Sequence, residues 1–201
     1  FDVAFKTVLD VQGKGSGFDV AAGVWGETLY FFTGGKIVEP LNLKELPLIV
    51  GYTGVKADTM TLVNQVSGKA EKYPEVINGI YDLIEKLVDC AKPTMVKQDW
   101  ETVGELMNLN QGLLESLGVS IDKLSQMIYA ARDNGAYGAK LSGGGGGDCM
   151  ISFVPKSARK DVEKGIEKAG GQVIQVKANA EGVRIENDQH WVQFSQNVAT
   201  S

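Results

Sequence analysis

The stretch AYGAKLSGGGGGDCMISFV, residues 136–154, decides the fold. Its flanks are apolar and strand-like, and Gly143 to Gly147 between them make five consecutive glycines. Each glycine costs roughly 0.5–1 kcal/mol relative to alanine in ordered structure, so such a run asks for a compensating reason. A flexible hairpin turn is the plain explanation. The functional one is a loop whose backbone N–H groups form a concavity for an anion and whose missing Cβ atoms let it lie against phosphates or against another phosphate-binding loop. The strand-like flanks predict an ordered, buried position and favour the second.

Upstream of this hairpin, periodicity predicts four helices. Thr59 to Val66 forms a short one. Pro74 opens another whose apolar positions Val76, Ile80, Leu83 and Leu87 mark a well-buried helix. Leu106, Leu109, Leu113 and Leu117 define a third, closed by Gly118, and Ser120 caps a fourth carrying Ile121, Leu124, Ile128 and Ala131. Before them LPLIVGYTG, residues 46–54, reads as a buried strand delivering a loop. After the hairpin, Ser157 to Ala169 is an amphipathic helix ended by Gly170 and Gly171, and QVIQVKA and GVRIE supply the last strands. Strands flanking a helical block imply an α+β architecture with a mostly antiparallel sheet covered on one face. Nearer the start, a helix begins at about Phe18, and TLYFF, Gly34-Gly35 and KIVEPL read as a hairpin. Residues 187–201 show no period.

With 43% hydrophobic and 22% charged residues, the 201-residue chain buries a real core and is not a disordered segment. A formal charge of -5 without a clustered basic face excludes nucleic acid and anionic membrane as partners. Cys90 and Cys149 lie far apart, and His190 is the single histidine, so neither a zinc site nor a disulfide framework is supported. This reads as a reducing, cytoplasmic compartment. No apolar run approaches the roughly 20 residues of a membrane span. A start at Phe1 suggests that upstream sequence is missing.

Three further segments bear on chemistry. In KGSGFDVAAG, residues 14–23, Asp19 follows a glycine turn at a helix N-terminus, where the helix dipole favours an ionised carboxylate that can point into a cleft; a plain cap is the alternative, and Ser16 is ambiguous in the same way. In GYTGVKADT, Thr53 could offer a hydroxyl to a ligand, although turn chemistry explains it equally. Lys56 and Lys140 read as ordinary surface lysines before phosphate ligands.

Together these segments resemble the GHMP kinases, the superfamily named for galactokinase, homoserine kinase, mevalonate kinase and phosphomevalonate kinase. KGSGFDVAAGVWG resembles the segment with the family's catalytic aspartate, and AKLSGGGGGDCMISF its third motif, a G-x-G-G-G-x-C type loop. The text NLNQGLLESLGVSIDKLSQMIYAARDNGAYGAKLSG is especially similar to archaeal-type mevalonate kinases, and GVRIE to their C-terminal strand. The resemblance runs to about Glu186. It implies a GHMP kinase fold with residues 1–45 ending the N-terminal domain, residues 46–186 forming a ferredoxin-like C-terminal domain with a helical block over an antiparallel sheet, and residues 187–201 as a tail.

The same resemblance implies that Asp19 is catalytic, that Ser16, Gly17 and Thr53 contact substrate, and that Ser142, Gly143, Gly144, Gly145, Gly146 and Gly147 contact nucleotide phosphates. ATP and Mg²⁺ are the implied cofactors, the metal held largely by nucleotide oxygens and by residues outside this chain. The expected reaction is phosphorylation of mevalonate to 5-phosphomevalonate. GSGFDVAA and GGGDC depart from the usual mevalonate kinase pattern toward phosphomevalonate kinases, which keeps 5-phosphomevalonate as the alternative substrate. A non-catalytic binding domain of the same fold and a related decarboxylase are further alternatives. The family's second motif, P-x-x-x-G-L-G-S-S-A, and its N-terminal lysine are not in these residues. The implied partner is therefore an upstream half, without which this chain is not expected to turn over; a homodimer is compatible with the resemblance.

Overall fold

A computed structural model describes residues 1–185. They divide into two compact units: Phe1–Pro40 with the described residues from Asn179 onward, and Leu41–Ala178. The division falls at Pro40, a few residues before the boundary expected at residue 45. The return of residues 179–183 to the first unit has a backbone cause. Glu27 N–H donates to the Ala180 carbonyl (2.8 Å) and Val183 N–H to the Val24 carbonyl (3.0 Å), around an isolated bridge between Gly26 and Glu181. GVRIE is accordingly not the expected strand over its described residues 182–185. The tail at 187–201 lies outside the described residues.

In the first unit, helix α1 (Asp2–Gln12), which periodicity did not predict, precedes helix α2 (Phe18–Trp25). Strands β1 (Leu29–Phe31) and β2 (Val38–Pro40) then form the expected antiparallel hairpin. Phe1 organises the unit, stacking on Phe5 with centroids 5.4 Å apart and meeting Trp25 at 5.2 Å and Phe31 at 6.3 Å.

The second unit begins with β3 (Leu48–Tyr52), runs through α3 (Thr59–Lys72), α4 (Pro74–Val96), α5 (Trp100–Leu117) and α6 (Asp122–Asp133), and returns as the hairpin of β4 (Gly138–Leu141) and β5 (Cys149–Phe153). Helix α7 (Arg159–Lys168) and strand β6 (Gln172–Ile174) complete it. The sheet is antiparallel throughout in the order β4-β5-β3-β6. A βαββαβ chain with its first strand between the third and fourth is the ferredoxin-like arrangement, here with α3 to α6 inserted after the first strand.

Period-2 alternation sends Ile49, Met150, Ser152, Ala139 and Leu141 to one face, where they are buried with Leu124, Met127, Ile128 and Ala131 of α6 and Val162 and Ile166 of α7. Truncating a residue such as Ile128 to alanine costs about 2–5 kcal/mol. The other face is not bare, as a sheet covered on one side would be. Phe153 and Ile151 pack there with Val103, Met107 and Trp100 of α5.

Two helices depart from their predicted faces. α4 is not well buried: Ile77 is its buried residue, while Val76 and Leu83 are 62% and 49% exposed. In α5 the leucine stripe is split, Leu117 joining the core beneath the sheet while Leu109 is 60% exposed. A Cβ at Gly104 would overlap the Tyr137 backbone, and one at Gly138 would overlap that of Gly104, so this glycine pair lets helix and strand backbones touch. Asn108, Gln111 and Glu115 continue from Gly104 at helical spacing on the same face. Asn108 and Gln111 then accept from the N–H groups of Ala139 (3.1 Å) and Leu141 (2.9 Å), which β4, as an edge strand, would otherwise leave unpaired. On the same strand, Arg132 donates to the Ala139 carbonyl and Lys140 to that of Leu141, both at 2.7 Å.

Candidate functional site

The glycine loop starts where this closed strand edge ends. Ser142 N–H still pairs with the Cys149 carbonyl (2.9 Å), and the chain then leaves the sheet through Gly143 and Gly144, which are exposed, to Gly145 and Gly147, which are buried. Three neighbours explain why side chains are missing. A Cβ at Gly145 would overlap the Val119 carbonyl oxygen of the α5–α6 turn, one at Gly146 would overlap Leu62 of α3, and one at Gly147 would lie 2.6 Å from the Val55 carbonyl oxygen. Gly143 differs, because nothing lies within 4 Å of its Cβ position, yet its φ of +74° is one that glycine adopts without strain. The run is therefore a packed loop with one open end, not a flexible turn.

Hydrogen bonds fix it from both sides. Gly146 N–H donates to the Val119 carbonyl at 2.7 Å. Asp148, a non-glycine residue at φ +53°, locks the far end: its N–H donates to the Val55 carbonyl (2.7 Å), its carbonyl accepts from Thr53 N–H (2.9 Å), and its Oδ1 accepts from Ala57 N–H (3.4 Å). Sequence reasoning missed Asp148 and Val119. For Asp148 the signal was a short polar residue, tolerant of the left-handed region, directly after the glycines. Among the described residues the N–H groups of Gly143, Gly144, Gly145 and Gly147 have no acceptor, and of these Gly143 and Gly144 stand at the exposed end of the loop with the buried Gly145 behind them. Such a row makes a concavity for an anion.

Thr53 is buried beside this loop, but its hydroxyl is engaged in a local turn, donating to the Val55 carbonyl and accepting from Val55 N–H, both at 3.1 Å. It braces the loop, and the turn explanation accounts for its hydroxyl. Burial pushes the Lys140 ammonium down to about 8, with the Leu141 carbonyl as its hydrogen-bond partner. Burial, then the Asp148 carboxylate, pushes the Cys149 thiol up, which makes it a packed thiol before a nucleophile.

Ser16, Gly17 and Asp19 stand together in the first unit at the start of α2. Gly17 is the N-cap at φ +85°, buried, with its Cβ position 2.8 Å from the Phe5 ring, so the α1–α2 turn is sealed from behind. The Ser16 carbonyl is held by Gly34 N–H (2.9 Å), and the Ser16 hydroxyl accepts from Phe18 N–H at 3.5 Å, a long contact that leaves it nearly unengaged. Asp19 lies in the first turn of α2, exposed, and its carboxylate accepts no hydrogen bond among the described residues. A capping residue would accept from the helix's first N–H groups, and Asp19 does not. What remains is a charged carboxylate at the positive end of a helix dipole with its lone pairs open to a ligand.

Among the described residues no group of three or more His, Cys, Asp or Glu could hold a metal ion. Nor, among the described residues, is any helix long and apolar enough to cross a membrane.

Comparison with known proteins gives a consistent result. Residues 80–172 match the family described as GHMP kinases C terminal. The mevalonate kinase of Pyrococcus horikoshii is 44% identical over 186 residues, covering 90% of this chain and 55% of the relative. That of Pyrococcus abyssi is 45% identical with the same coverage. Among solved structures, the mevalonate kinase of L. major in complex with R-mevalonate superposes with a TM-score of 0.76 at 28% identity, over 85% of this chain and 55% of that one. The chain thus spans about half the length of the curated relatives it matches.

Proposed function

We propose that the chain, whose residues 80–172 match the family described as GHMP kinases C terminal, is part of an ATP-dependent kinase that phosphorylates mevalonate to 5-phosphomevalonate. One observation carries the reading: Asp19 presents an exposed carboxylate that accepts no hydrogen bond among the described residues, in the first turn of α2, on a chain 90% of which aligns to a protein named mevalonate kinase. Asp19 accepts the proton of the substrate hydroxyl, or orients it, while the γ-phosphoryl group transfers in line. Ser16, beside it with a nearly free hydroxyl, contacts the substrate, and Gly17 lets the backbone approach it closely.

The exposed donors of Gly143 and Gly144 meet phosphate oxygens, where fixed N–H dipoles stabilise charge without reorganising. Ser142 adds a hydroxyl at the loop's root. Gly145, Gly146 and Gly147 act through packing, since Gly146 donates to Val119 and the other two are buried. Magnesium, when bound, would be held largely by nucleotide oxygens and would offset the phosphate charge. Two free cysteines accord with a cytoplasmic setting.

Phosphorylation of 5-phosphomevalonate is the second reading, favoured by GSGFDVAA and by Asp148, which stands where mevalonate kinases more often continue the glycines. Phosphorus NMR of the product made by a protein of the relatives' full length decides between them. A single phosphomonoester formed from mevalonate is expected. A diphosphate formed only from 5-phosphomevalonate favours the second reading, and loss of the carboxylate signal in the carbon NMR spectrum of the same product overturns both in favour of a decarboxylase.

A further inference from the structure

Gln111 of α5 does more than satisfy an edge strand. Its side chain is fully buried and its amide is fully used: Oε1 accepts from Leu141 N–H (2.9 Å), while Nε2 donates to Ser120 Oγ and to Glu115 Oε1, both at 3.1 Å. Leu141 is the last residue of β4 before the glycine loop. Ser120 follows Val119, whose carbonyl takes the Gly146 N–H in the middle of that loop. One side chain therefore ties the root of the loop to the turn that holds its centre.

The link is stiff because the ring closes. Ser120 Oγ lies 3.0 Å from Ser125 Oγ, Ser125 donates to Glu115 Oε1 at 3.1 Å, and Tyr129 donates to Glu115 Oε2 at 3.3 Å. From the far side, Lys69 of α3 donates to the Leu117 carbonyl at 2.6 Å. Ser120 is thus not the helix cap expected from sequence; Ile121 occupies that position without a side-chain cap, and the serine belongs to this network.

We infer that Gln111 is a positioning residue for the glycine loop, setting the distance between its exposed donors and a bound phosphate. The inference rests on the phosphate-binding reading of the loop. Asn108 supplies the matched comparison, because it makes the same kind of bond one helical turn away, to Ala139 N–H at 3.1 Å, and among the described residues has no link to the Val119 turn. A purely structural role predicts equal consequences for the two. A positioning role predicts that only Gln111 moves the loop.

The test compares Gln111→Met, Ser120→Ala and Asn108→Ala in a protein of full relative length, with three readouts: melting temperature, amide exchange of Gly146, and steady-state kinetics against ATP. Gly146 exchange should rise about tenfold in the Gln111 and Ser120 variants beyond the Asn108 variant, the size of one lost hydrogen bond. At matched thermal loss, kcat/KM for ATP should fall about 10- to 100-fold in the same two variants. Ser120→Ala is the smaller lesion and carries the test if Gln111→Met does not fold. Equal Gly146 exchange in the Ser120 and Asn108 variants overturns the inference. The exchange readout is independent of turnover, so a wild-type protein inactive with ATP sinks the functional reading while the coupling is still decided.

Discussion

The start of α2 and the glycine loop solve opposite problems. Asp19 sits on an exposed first turn with no hydrogen-bonded partner among the described residues, whereas the loop from Ser142 to Asp148 is held by bonds to Cys149, Val119, Val55, Thr53 and Ala57 and by contacts that leave no space for a Cβ at Gly145. A base needs open lone pairs and loses little stability if changed. A phosphate cradle needs donors that do not move, so its geometry is over-determined by packing. Chemistry and stability should therefore separate cleanly at the first region and be entangled at the second.

The strongest way to break this contrast is Asp19→Asn. In the full-length protein kcat should fall about 10²- to 10⁴-fold, as for loss of a general base. Melting temperature and nucleotide affinity should hardly change, because an exposed side chain without partners contributes little to either. Steady-state kinetics beside a thermal melt checks it, and activity within a few-fold of wild type would return Asp19 to a surface role.

Within the loop, two substitutions sharpen the comparison. Gly145→Val drives a side chain into the Val119 carbonyl at a φ of +82°, and should cost about 2–5 kcal/mol of stability together with activity. Gly143→Ala meets no neighbour and bears only the strain of φ +74°, about 1–2 kcal/mol. Its methyl group stands at the open end, so KM for ATP should rise more than its modest loss in urea midpoint explains. If the two variants lose stability equally, the loop is not packed as described.

The smallest effect concerns Lys140, on the strand that feeds the loop. Its folded pKa of about 8 lies below the ordinary lysine value of roughly 10.4, so the unfolded chain binds more protons between these limits. Stability should thus rise with pH from about 8 to 10.4, by on the order of 1–3 kcal/mol, and Lys140→Met should flatten that rise. Urea midpoints of both proteins at pH 7 and pH 10 measure the difference.

Much of this was legible in the sequence, for identifiable reasons. The glycine run, its strand flanks and the α5 stop at Gly118 are local signals that tertiary structure left intact. Faces were harder. Leucine periodicity found α5 but not its contact with β4, which is made by glycine and amide side chains, Gly104, Asn108 and Gln111, that a hydrophobic pattern cannot register. α4 carries an apolar stripe wider than the surface available to it, which leaves Val76 and Leu83 exposed. Candidates Ser16, Gly17, Asp19, Thr53 and the glycines were named from motif context, but Asp148 acts through bonds to Thr53, Val55 and Ala57 in a distant segment, which no single stretch reveals. Ser120 was assigned a cap because a serine before a helix usually is one, and a buried network took it instead.

The acceptor is decided most directly by ADP release from the full-length protein with mevalonate and 5-phosphomevalonate side by side under the same Mg-ATP concentration. Rapid release is expected with mevalonate, little above background with 5-phosphomevalonate, and the mevalonate signal should be lost in Asp19→Asn. Release with 5-phosphomevalonate alone, or with neither acceptor, would contradict mevalonate as the acceptor.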